Sequence, residues 1–213
     1  MLDVSEIHLN KPNENVNCFR NLILTQRHNR TDFYRIITYS LLHSSKEHLY
    51  GNILFLILNG TPMEMIHGTV RIMPIYFLGA LFGGLFHTIW EPETDLLGSS
   101  SGVCSILGCN LSNLILNWHE IRYKEVKSII IAVQSTYLLG TGIYSYYLED
   151  DNTSHPSHLI GLFSGIIIGM ISLKVFKITK YKIIIKAISL TVFIIFFKFL
   201  ISIYLNTNNL TFI

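Results

Sequence analysis

Charge is the first thing this sequence is short of. Only 14% of its 213 residues are Asp, Glu, Lys or Arg, where a soluble domain carries about 25%. Too few charges are present to coat a globular surface in water. Their balance, +2 at neutral pH, makes no case for a nucleic-acid partner. Cysteine is scarce too: Cys18, Cys104 and Cys109 are odd in number and have no zinc-like spacing. That excludes a disulfide framework and a thiolate metal site, and makes Cys104 and Cys109 small packing residues. The opening segment, MLDVSEIHLNKPNENVNCFR, lacks an apolar core, so it is neither a signal peptide nor a membrane span. Internal repeats, low-complexity linkers and shifts of composition are missing, and so is the polar-apolar alternation that marks strands.

What is present is apolar. Half the residues are hydrophobic and the mean hydropathy is +0.42. The charges cluster between long apolar runs, the pattern of a polytopic membrane protein. A crossing helix needs about 20 mostly apolar residues. Six stretches approach that length: 45–66, 71–90, 99–117, 128–147, 157–173 and 183–205. The expected fold class is all-α, a polytopic membrane helical bundle with six transmembrane helices in this chain. Arg71, then Arg122, Lys124 and Lys127, then Lys174, Lys177, Lys180 and Lys182 fall on one side. Glu91, Glu93 and Asp95, then Glu149, Asp150 and Asp151, fall on the other. The positive-inside rule puts the basic side in the cytoplasm. Glycosylation sequons at Asn29, Asn152 and Asn209 then all lie on the luminal side, whereas those at Asn59 and Asn110 lie within spans and should be unusable. The expected organisation is a luminal segment 1–44, a membrane domain 45–205 and a luminal tail 206–213.

Against this background, polar side chains inside spans stand out, because they are costly there and mark function by default. His48 and Asn52, in HLYGN, are four apart and share a helix face. Ser100, in GSSSG, opens the third span, and His158 opens the fifth. All four fall near the luminal ends of their helices. A serine and a histidine at one depth can form a nucleophile and general-base pair. His48, Asn52 and the Ser100 backbone N–H would stabilise an oxyanion. Gly161, Gly165 and Gly169 form a small-residue ridge after His158, and Ser101, Ser105, Gly108 and Ser112 a matching stripe on the serine helix. Such faces let membrane helices approach closely. Taken singly, Ser100 is an ordinary helix N-cap and His158 a helix-end histidine; their spacing as a set argues otherwise. GSSSG also fits the G-x-S-x-G of a soluble hydrolase elbow, but that turn needs a strand before its serine.

At these residues the chain resembles the rhomboid intramembrane serine proteases. Their H-x-x-x-N stands as His48 to Asn52, their G-x-S-G as Gly98 to Ser101, and their H-x-x-G-x-x-x-G as His158 to Gly165. GTPMEMIHGTVR, LSNLILNW and a span after the histidine helix are similar to the animal secretory-pathway (6+1) subgroup. The likeness covers roughly residues 20–205, and the register of Gly98 makes Ser100 the nucleophile. Three positions depart from the family: Ser101 replaces a glycine, Cys104 a tyrosine that packs on the histidine, and Tyr34 a tryptophan. The family's first helix is not seen before the first-loop-like residues 20–44.

The resemblance implies a serine-type endopeptidase that cleaves bonds in or beside the transmembrane segments of single-pass membrane proteins. Ser100 and His158 would be catalytic, with Gly98, Gly102, Gly161 and Gly165 packing the helices at the site. No cofactor, metal or nucleic acid is expected, and the lipid bilayer is the medium. A secretory-pathway membrane, Golgi or plasma membrane, is the expected location. The departures motivate the alternative of a catalytically inactive rhomboid-like protein that binds membrane clients for trafficking or degradation. Glu64 and Arg71 are read as structural, His43 as ordering a loop, and His67, His87, His119 and His155 as interface residues.

Overall fold

In a computed structural model of the chain, residues 2–3, 22–24, 34–91, 94–148 and 154–210 are described. Cys18, the sequons at Asn29 and Asn152, the acidic residues Glu93, Glu149, Asp150 and Asp151, and most of the segment 1–44 lie outside them.

The described chain is helical. After a short α1 (Arg35–Thr38) and a 3-10 turn (Tyr39–Leu41) come α2 (Lys46–Phe55), a π-helical stretch (Leu56–Gly60) and α3 (Thr61–His67). Then follow α4 (Thr69–Trp90), α5 (Ser100–Asn117), α6 (Lys124–Leu148), α7 (His155–Ser172) and α8 (Lys180–Leu210). Two short strands, β1 (Leu2–Asp3) and β2 (Leu42–His43), pair in parallel at the loop end. Helical segments thus occupy all six expected positions. Among the described residues three helices are long and apolar enough by themselves to cross a membrane: Thr69–Trp90, His155–Ser172 and Lys180–Asn206. The serine helix α5 falls short in hydropathy because it carries several serines and asparagines, and these are tolerated in the membrane because they face other helices rather than lipid. Ser101, Ser105, Asn110, Ser112, Asn113 and Asn117 are all buried.

Local chemistry explains the helix ends. The Ser45 side chain accepts the backbone N–H of His48 and starts α2. Pro156 sits in the first turn of α7, where its missing N–H costs nothing, so this helix begins ahead of the expected residue 157. Gly68, at φ +89°, lets the chain turn from α3 into α4. The π stretch reads as part of the same rod, and Asn110 of α5 donates its amide to the carbonyl of Asn59 there at 3.3 Å. Both asparagines are buried.

The centre of the bundle is α5, flanked closely by α4 and α7. A Cβ at Gly161 would overlap the Ser101 carbonyl, one at Gly165 the Ser105 carbonyl, and one at Gly108 the Leu162 carbonyl. The expected glycine ridge and small stripe are therefore in backbone contact. At the basic end, His67, Asn113 and Asn117 link three elements. The His67 Nε2–H donates to Asn113 Oδ1 at 3.1 Å, and its Nδ1 accepts the Lys174 N–H at 3.2 Å. Asn117 donates to the Lys174 carbonyl at 2.9 Å. Arg71 donates to the His67 carbonyl and Glu64 accepts from Thr69, so both bind locally and not each other. Lys182 and Glu120 pair at 3.2 Å and hold α8 to the α5–α6 connection.

Candidate active site

Ser100 is the first residue of α5, and His158 lies in the first turn of α7. Their helices touch at Ser101 and Gly161, one turn beyond the histidine, so the imidazole swings back over the serine. The result is a hydrogen bond of 2.6 Å between Ser100 Oγ and His158 Nε2. Two residues 58 apart in sequence meet because glycine on one helix admits the backbone of the other.

The turn before Ser100 is held on several sides. Gly98 has φ +120°, a conformation that favours glycine, and its N–H donates to the Tyr39 carbonyl at 3.1 Å. A side chain there would also meet the ring of His48, whose Cε1 would be 2.7 Å from a Cβ. Ser99 donates both its hydroxyl (3.0 Å) and its N–H (3.4 Å) towards His43 Nε2. His43 therefore orders the loop, as expected, and does so at the residue next to Ser100. Tyr39 is buried, which pushes its phenol up from the ordinary value, and the protonated hydroxyl donates to the Ala80 carbonyl at 2.7 Å. Gly102 faces Tyr76, whose ring carbon would be 2.8 Å from an added Cβ. Arg35, buried beside Tyr34, donates to the Ile23 carbonyl at 3.1 Å. Leu24 and Leu96 exchange backbone hydrogen bonds and anchor the approach to the turn.

His48 and Asn52 stand on α2, and the His48 ring lies against Gly98. The Ser44 hydroxyl lies 3.1 Å from His48 Nδ1, and the His43 and His48 rings meet edge to face at 5.2 Å. Asn52 is only 7% exposed, and its Nδ2 has no hydrogen-bond partner among the described residues. A buried amide donor without an acceptor costs about 1–3 kcal/mol. The first-turn N–H groups of α5, Ser100's among them, likewise have no acceptor within the helix. A serine hydroxyl held by an imidazole at a helix N-terminus with unspent N–H groups is an arrangement that suits acyl transfer.

The departures can be read in place. Ser101 is buried, and its hydroxyl donates to Ser157 Oγ at 3.2 Å. Its extra bulk is met by Gly83 of α4, where a Cβ would lie 2.5 Å from the Ser101 Cβ. Cys104 is buried one turn after Ser100. The ring standing against His158 is instead that of His155, edge to face at 5.8 Å. Sequence reasoning placed His155 only at an interface, and it missed Gly83 and Ser157 altogether. An S-H-P-S-H run at a helix start was the one available signal for His155 and Ser157.

The fold is an all-α bundle in which a serine and a histidine of two helices meet, and the comparisons identify its family. A family model described as the Rhomboid domain matches residues 30–175. Rhomboid-related protein 1 of Caenorhabditis elegans is 32% identical over 160 residues, 71% of this chain and 45% of its own length. Rhomboid-related protein 2 of Mus musculus is 31% identical over 158 residues, 72% of this chain and 52% of its length. Inactive rhomboid-related protein 2 of C. elegans is 27% identical over 162 residues, 75% of this chain and 46% of its length. The chain belongs to the rhomboid family, which contains intramembrane serine proteases and inactive relatives, and it is an integral membrane protein. It spans about half the length of the curated relatives it matches.

Proposed function

We propose that this protein is an intramembrane serine endopeptidase acting on single-pass membrane proteins. The observation that carries this reading is the 2.6 Å contact between Ser100 Oγ and His158 Nε2. His158 takes the Ser100 hydroxyl proton as Oγ adds to the scissile carbonyl carbon. The resulting oxyanion accepts hydrogen bonds from the Ser100 N–H, Asn52 Nδ2 and His48. Collapse breaks the C–N bond, and His158 returns the proton to the leaving amine. Water then loses a proton to His158 and attacks the acyl-serine ester, which releases the acid and regenerates Ser100. No buried carboxylate is needed, because the imidazolium exists only while the adjacent oxyanion balances it.

Gly98 and Gly102 shape the turn, while Gly161 and Gly165 bring the two helices within reach. The positive-inside pattern supports a site at the luminal or extracellular end of the bundle, with 1–44 and 206–213 on that side and 45–205 in the membrane. The resemblance to the animal secretory-pathway subgroup supports a secretory-pathway membrane, Golgi or plasma membrane. Helical carbonyls are shielded, so substrates should carry Gly- or Pro-weakened helices near that surface. A tagged type I substrate co-expressed in cells should release its ectodomain, and Ser100→Ala should abolish release; equal release by the variant would dismiss the mechanism.

A second reading, an inactive client-binding rhomboid, is favoured by Cys104 in place of the tyrosine and by relatives whose names call them inactive. A fluorophosphonate that labels the wild type but not Ser100→Ala would eliminate it.

A further inference from the structure

We propose that His87 is a positioning residue for the Ser100–His158 pair, a clamp joining the loop before the serine to the start of the histidine helix. This rests on the protease reading above. His87 lies in the last turn of α4 and is 2% exposed. Its Nε2 is 3.0 Å from the Thr94 carbonyl, which can only accept, so that nitrogen carries the proton. Its Nδ1 is 3.0 Å from Ser154 Oγ and 3.2 Å from Glu91 Oε2. Nδ1 accepts the Ser154 hydroxyl while Nε2 holds Thr94.

The two partners lead to the two reacting groups. Thr94 stands two residues before Leu96, whose backbone pairs with Leu24, and four before Gly98. Ser154 precedes α7, and its carbonyl accepts the Ser157 hydroxyl at 2.8 Å and the His158 N–H at 3.4 Å. Ser157 in turn accepts the Ser101 hydroxyl. One imidazole therefore sets the phase of the first turn of α7 and the height of the loop feeding α5. Packing alone could be met by any flat ring, but fixing that phase requires the hydrogen bonds.

The test uses the full chain in phosphatidylcholine vesicles with a single-pass substrate. His87→Phe keeps the bulk and removes the bonds; His87→Gln keeps an N–H for Thr94. Small misplacements of reacting groups cost up to about 100-fold in rate. His87→Phe should lower kcat and the rate of Ser100 labelling by a fluorophosphonate on that scale with KM unchanged, and His87→Gln should recover most of the loss. Wild-type rates in His87→Phe, an equal fall in both variants, or a change in KM alone would overturn the proposal. Where His87→Phe fails to fold, Ser154→Ala should show the same loss of kcat, and an unchanged kcat overturns it. A wild type that neither cleaves nor labels sinks the protease reading. The clamp is then decided by amide exchange over residues 154–160, which should quicken in His87→Phe and return in His87→Gln; equal exchange in all three overturns it.

Discussion

The two long neighbours of α5 that follow it in sequence meet it in opposite ways. Towards α7, its surface is Ser101, Ser105, Gly108 and Ser112, and the backbones approach until a single methyl group would not fit. Towards α6, its surface is Leu111, Leu114, Ile115 and Trp118, and an open cleft of about 680 Å³ lies between them and Ile131, Ala132 and Ser135. On the far side, α6 turns Ile129, Ile130, Val133 and Tyr137 outward. In lipid, helices gain little from hiding apolar surface, so shape decides which pairs lock. Small residues at a spacing of three or four make the α5–α7 face rigid, and bulky ones leave the α5–α6 face slack. The Ser100–His158 bond is on the rigid face, where moving the helices apart by about 1 Å would take the pair out of hydrogen-bond reach.

The strongest way to break this comparison is to add volume on the tight side. Gly165→Leu forces a side chain into the Ser105 backbone. It should cost about 3 kcal/mol or more in thermal unfolding in detergent and remove proteolysis; an unchanged melting temperature would show that the helices do not lock there. An intermediate effect should come from beside the contact, not within it. Asn52→Ala leaves both helices as they are and withdraws one buried donor. kcat should fall on the order of 10²–10³-fold, with stability held or improved, because an unpaired polar group is lost. A rise in KM alone would mean that Asn52 holds substrate and not the oxyanion. The smallest effect belongs to the slack side. Ala132→Leu points into the open cleft and should shift stability by no more than about 0.5 kcal/mol and leave cleavage of a standard substrate intact. A large loss there would mean that α6 is packed as strictly as α7.

Most of the helical frame could be read in advance because lipid imposes one requirement, long apolar helices, on any chain that crosses it. The positions of α4, α7 and α8 follow from hydropathy alone. For α5 hydropathy is a poor guide, since a helix packed on several sides can carry Ser and Asn in place of Leu; there the motif register of Gly98 and Ser100 was the better signal. The pairing of Ser101, Ser105 and Gly108 with Gly161 and Gly165 was legible too, because small residues at helical spacing have few other uses in a membrane. What stayed hidden were side chains with ordinary local context. Nothing in GGLFHTIW says that His87 reaches Ser154, 67 residues away, and nothing near Gly83 says that it makes room for Ser101. His155 shows the same limit: its position at a helix start was visible, but its contact with the His158 ring depends on the direction in which α7 leaves the loop.

The amino-acid sequence alone determined that this is a helical membrane protein, which end of the bundle is basic, and which serine, histidine and asparagine sit at the opposite end, because periodicity and charge are local properties of a chain in lipid. Only the tertiary structure decided that Ser100 and His158 share a proton, that Asn52 keeps a donor unspent, and that His87 joins the segments carrying the pair. Those facts depend on how closely the helices approach, and that is set by which side chains from distant parts of the chain fill the space between.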